Sequence, residues 1–179
     1  MTQISEMDLV SNLKHRLTPG FLLIRQDLKN FPKTGKLGAS LLATLCLTAT
    51  AWLILPDFAD LNKIPALSQM AKIAAVAFLF PALFEEIVFR GFLNAPQTKF
   101  SITFSTILFV LWHPFAGFLL IPEAMPYMID PRFLFFVAIF GVAFCLMRKW
   151  TGSLWTPILC HWLLVIIWKG LGGVQFITH

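Results

Sequence analysis

Glu85, Glu86 and Arg90 stand in "LFEEIVFRGF" (residues 83–92), inside an otherwise apolar run. A carboxylate can take up and return a proton, and a guanidinium can pair with it. In hydrocarbon each such group costs ~2.5–3.5 kcal/mol on the insertion scale, so charges of this kind face a bundle interior and mark function. Glu86 and Arg90 are spaced i,i+4, share one helical face and suit an ion pair. Glu85 lies about 100° further round the helix, and the spacing leaves it available for proton transfer. Two imidazoles lie at comparable depth: His113 in "ILFVLWHPF" and His161 in "TPILCHWLLV". At ~1.5 Å per residue, Glu85 and His161 fall roughly 12 Å, and His113 roughly 18 Å, from one end of their helices. A lone His in an apolar helix is more often a structural hydrogen bonder. The co-occurrence of these five residues on three apolar segments points instead to a site. Pro81, one turn before Glu85, predicts a kink there. Pro114 predicts that His113 leaves helical geometry.

The elements that must position these groups read as membrane helices. Five apolar stretches of about 20 residues cover 37–56, 71–93, 101–121, 132–148 and 153–171, with short turn-rich connections such as "NAPQTK" and "PEAMPYMIDP". The expected fold is all-α: a polytopic membrane helical bundle of about five transmembrane helices plus an N-terminal amphipathic helix. In "PGFLLIRQDLKNF", Phe21, Ile24, Leu28 and Phe31 share a face. That face suits a helix lying in the membrane interface or packed on the bundle. Two units follow: residues 1–36, a cytoplasmic segment carrying the interfacial helix, and residues 37–179, the membrane domain.

Of the 179 residues, 58% are hydrophobic and only 13% charged, about half the charged share of a soluble domain. Soluble classes are thereby excluded. The net charge of +5 reports orientation, because its basic residues flank the apolar segments. Lys14, Arg16, Arg25, Lys29, Lys33, Lys36, Lys99, Arg148 and Lys149 fall on one side, against Lys63, Lys72, Arg132 and Lys169 on the other. This places the N-terminus in the cytoplasm and the C-terminus opposite, and no nucleic-acid partner is expected. The first 20 residues lack the apolar core of a signal peptide. Cys46, Cys145 and Cys160 lie in apolar segments without CxxC spacing and read as buried small hydrophobes.

Three ordered motifs carry a resemblance. "EEIVFR" (Glu85 to Arg90) fits EExxxR, "FVLWH" (Phe109 to His113) fits FxxxH, and "GSLWTPILCHWLL" leads into a later His-containing motif at His161. Together, over about residues 71–168, they resemble the CPBP intramembrane proteases, the family of the CAAX prenyl endopeptidases and many bacterial Abi proteins. One position departs from the pattern. Four residues past His161 the family has Asn, a donor to the oxyanion, and this chain has Val165.

The resemblance implies an intramembrane endopeptidase of glutamic type near the cytoplasmic side of the bilayer. Glu85 would activate water, His113 would donate to the oxyanion, and His161 would position the water or leaving group. Glu86 and Arg90 would hold the base. No cofactor is expected. Zinc, for which Glu85, Glu86, His113 and His161 are acceptable ligands, is disfavoured because HExxH is absent. The implied partners are a membrane-protein or lipidated-peptide substrate, the lipid bilayer and a membrane-protein complex. A bacterial inner or thylakoid-like membrane is the expected location. Val165 supports an alternative: a catalytically impaired relative acting as a membrane-protein chaperone, assembly or immunity factor. A proton or ion pathway, a use common for buried Glu and His, is a further alternative.

Overall fold

The computed structural model describes residues 20–55 and 65–171. The chain is all-helical there. Helix α1 covers residues 20–29 and α2 runs Thr34–Ile54. Helix α3, Leu67–Ala77, continues into π-helical turns at Phe78–Leu83 and Glu86–Phe92. Next come α4 (Lys99–Leu119), a short 3₁₀ turn with α5 (Met125–Met128), α6 (Pro131–Thr151) and α7 (Trp155–Leu171).

Helix ends follow local chemistry. Thr98 caps α4 by accepting from Ser101 N at 3.1 Å, and Ser101 Oγ in return accepts from Thr98 N, which satisfies two orphan donors. Asp130 accepts from Arg132 N at 2.7 Å, with Pro131 as the first residue of α6. Gly152 ends α6 at φ 67°, a left-handed cap suited to glycine.

Among the described residues, three helices are long and apolar enough to cross a membrane: α2, α4 and α6. Two expected spans take another form. The stretch at 71–93 is not one α-helix, because Phe80 is extended (φ −144°, ψ 119°) ahead of Pro81 and π-helical turns follow. That at 153–171 is a 17-residue helix. Pro114, by contrast, lies within continuous α4 and leaves His113 helical. The flanking bonds of a 21-residue helix outweigh the single bond that proline removes. The connection "PEAMPYMIDP" is itself partly helical.

Apolar burial drives association little when the solvent is lipid, so small residues and interhelical hydrogen bonds must hold such a bundle. Helix α2 shows this in its inverted pattern: Ser40, Thr44, Thr48 and Ala51 are buried, while Leu42, Leu45 and Leu53 face outward. Its threonines satisfy themselves on the carbonyls four residues back. Cys46 lies on that outward side and is exposed, unlike the buried Cys145 and Cys160; the expectation that all three are buried is corrected. Gly141 lets α6 approach α4 closely, since a Cβ there would stand 3.0 Å from Thr106 Cγ2. Trp162 Nε1 on α7 donates to Ala74 O on α3 at 2.7 Å.

Helix α1 packs against the bundle. Ile24 is buried with Leu154 and Ile158, and Leu28 packs beside them. Phe21 and Phe31 remain largely exposed.

Candidate active site

The extended break at Phe80 turns the chain so that the carboxylates enter the core from a separately wound segment. Glu85, Glu86, Arg90 and His161 are all at least 95% buried there. Glu86 is the hub. Its Oε1 accepts from His161 Nδ1 at 2.8 Å and lies 3.1 Å from Arg90 Nη1. A carboxylate only accepts, so Nδ1 carries the proton and Nε2 points onward. His161 Nε2 then stands 4.0 Å from Glu85 Oε2. The other Glu85 oxygen, Oε1, accepts from Trp112 Nε1 at 2.8 Å. Glu86 thus orients His161, and Trp112 orients Glu85.

Arg90 is held by more than charge. Its Cζ lies 3.9 Å from the Phe109 ring centre and 5.5 Å from that of Phe144, a cation–π cradle. Phe109 has further roles. Its carbonyl accepts from His113 Nδ1 at 2.8 Å, and its ring meets the imidazoles of His113 and His161 edge-on. The phenylalanine of "FVLWH" therefore organises a cation and both histidines.

A cavity of about 150 Å³ adjoins these groups. Glu85, His113 and His161 line it together with Trp112, Phe140 and Val165. Five residues were singled out by the sequence. Four of them form one contiguous polar cluster. His113 lines the same cavity, and its hydrogen bond goes to its own helix. Sequence reasoning missed Trp112, because a tryptophan in an apolar helix carries no mark of polar duty. Val165 presents methyl groups to the cavity.

Four groups of the cluster can balance their charge. With His161 protonated, Glu85 and Glu86 are offset by Arg90 and His161, as a buried ionic cluster requires. Zinc needs several converging unshared lone pairs. Here Arg90 and His161 occupy Glu86 Oε1, and among the described residues no group of three or more His, Cys, Asp or Glu converges as metal ligands.

No curated protein and no solved structure matches the chain. Residues 67–167 match a family model described as type II CAAX prenyl endopeptidase Rce1-like, a stretch containing the whole cluster. With its buried Glu–His–Arg centre on apolar helices, the chain belongs to the Rce1-like type II CAAX prenyl endopeptidase family, a CAAX-type intramembrane protease family.

Proposed function

We propose that the protein is an intramembrane endopeptidase in which Glu85 is the general base. One observation carries this reading: Glu85 lines the cavity, and its buried Oε2 has no hydrogen-bond partner in the protein and stands 4.0 Å from His161 Nε2. A water admitted between the two atoms would lie within ordinary hydrogen-bond distance of both. Glu85 takes its proton as the water oxygen attacks the scissile carbonyl carbon. Collapse of the tetrahedral oxyanion breaks the C–N bond, and Glu85 returns the proton to the departing amine.

The tautomers favour an exchange of the two histidine roles implied by the resemblance. His113 Nδ1 donates to a carbonyl, so the neutral ring offers Nε2 only as an acceptor, and an unpaired imidazolium among aromatic rings is costly. His113 therefore accepts the second hydrogen of the water. His161, held through Nδ1 by Glu86, is then the ring whose Nε2 serves the oxyanion.

We further propose that residues 67–92 and α7 also cross the bilayer, giving five spans. The N-terminus is then cytoplasmic and the membrane a bacterial inner or thylakoid-like one. The substrate is a membrane protein or lipidated peptide. A second reading rests on Val165, which brings methyl groups to a cavity wall where the family has an amide. On that reading the chain binds membrane proteins without cutting them.

The test compares wild type, Glu85→Gln and His113→Ala in membranes, using a farnesylated peptide that ends in three residues after its cysteine. Native membranes are searched in parallel for a protein whose length changes. Cleavage by wild type alone supports the protease. If no variant differs from wild type and a partner protein still co-purifies, the proteolytic reading falls.

A further inference from the structure

Arg148 looks in the sequence like a charge at a helix end. In the fold it is fully buried. Its Nη1 donates to the carbonyls of Arg90 and Asn94, the latter at 2.9 Å. Its Nε and Nη2 both bond Asp27 Oδ2, at 2.8 and 2.5 Å. The two carbonyls sit where the π-helical turns Glu86–Phe92 run out. Carbonyls at a helix C-terminus lack intrahelical partners and carry partial negative charge, which a cation satisfies.

Asp27 arrives on α1, and α1 is fixed to the α6–α7 junction by several bonds. Trp155 Nε1 donates to Leu28 O at 2.8 Å and Asn30 Nδ2 to Gly152 O at 2.8 Å. Ile24 closes over Gly91, where an added Cβ would stand 3.2 Å from its side chain. The exit of the carboxylate-bearing segment is thus gripped from α6 and, through Asp27, from α1.

We propose that Arg148, held by Asp27, is a positioning residue for the site: it fixes the end of the segment whose other residues, Glu86 and Arg90, orient His161. Helix α1 is then part of the catalytic framework. The rival is a charge pair that only holds the fold together.

Asp27→Asn/Arg148→Met removes both charges at once, so neither is left buried alone. Arg148→Lys keeps the charge but lacks the planar fork that reaches carbonyls and carboxylate together. Both are compared with wild type and Asp27→Glu in nanodiscs. The readouts are the ¹⁵N signal of His161 Nδ1, amide exchange over residues 86–98, and cleavage of the farnesylated peptide. Wild-type melting with a displaced His161 signal, at least fivefold faster exchange and a tenfold loss of kcat at unchanged KM is expected for the double variant. Arg148→Lys should show a smaller change in the same direction, and Asp27→Glu, which keeps the carboxylate but moves it by a methylene, a smaller one still. Should the double variant unfold, Arg148→Lys decides by the same measures. A wild-type His161 signal and exchange in folded Arg148→Lys and folded double variant overturns the proposal. The kcat arm rests on the proteolytic reading; the signal and exchange arms do not, so failure of one is distinguishable from failure of the other.

Discussion

Two arginines among the described residues are completely buried, and they are buried differently. Arg148 spends its donors on Asp27 and two carbonyls. Around Arg90, by contrast, its own Nε and Nη1 and the second oxygens of Glu85 and Glu86 have no hydrogen-bond partner in the protein. Arg90 Nη1 sits within ion-pair distance of Glu86 without hydrogen-bond alignment. A fully satisfied buried network rigidifies, whereas each unsatisfied group in a native structure calls for an explanation such as catalysis. The difference separates a frame from a site, although both are built on an arginine paired with a carboxylate.

The largest expected effect tests the site side. Glu85→Gln should reduce cleavage of the farnesylated peptide by about 10²–10⁴, the usual worth of a general base, while the melting temperature changes little because the amide oxygen keeps the Trp112 bond and His161 stays bonded to Glu86. A melting temperature that falls along with activity would place Glu85 in the frame.

The frame side comes next. Arg148→Met strands Asp27, whose side chain is 13% exposed, and should cost about 3–5 kcal/mol of stability. Arg90→Met should cost less, because His161 stays bonded to Glu86. In cleavage assays the order should reverse, with Arg90→Met the weaker enzyme. Equal ranking in both assays would erase the distinction.

Much of the site was legible because charge in an apolar helix is expensive, so Glu85, Glu86, Arg90 and the two histidines stood out. Asp27 and Arg148 did not. They are 121 residues apart, and each looked like an ordinary charge at a membrane boundary. The same holds for winding. Hydrophobicity marks residues 71–93 as apolar without telling α from π turns, and only Pro81 signalled an interruption. Pro114 carried the same signal and misled, since continuous packing along α4 absorbs it.

Smaller changes refine the site. Val165→Asn places an amide at the cavity wall and should raise kcat about tenfold, part of the ~10²–10³ that one oxyanion donor commands. Trp112→Phe removes a hydrogen bond to a carboxylate and should cut kcat at least tenfold while costing about 1.5–3 kcal/mol of stability.

The smallest effect lies outside both regions. Hydrogen bonding from Arg132 holds the Asp130 carboxyl below the usual carboxylate range. A depressed carboxylate contributes stability above its unfolded value of about 4, and the contribution disappears as pH falls through the folded one. Arg132→Ala should therefore melt slightly lower than wild type at neutral pH, and the two should converge in acid. A difference that grows in acid would assign Asp130 another partner.

The π-helical winding constrains more than residue identity. Leu93 N bonds Val88 O and Phe84 N bonds Leu79 O, each five residues back. Each such turn holds one residue more than an α turn. A deletion there could relax into ordinary α-helix without breaking the chain, rotating everything on one side of it by about 100°. Glu86 would then face away from His161. Between Phe78 and Phe92, a one-residue insertion or deletion should therefore damage the site as much as loss of a charge, where substitutions of lipid-facing residues are tolerated.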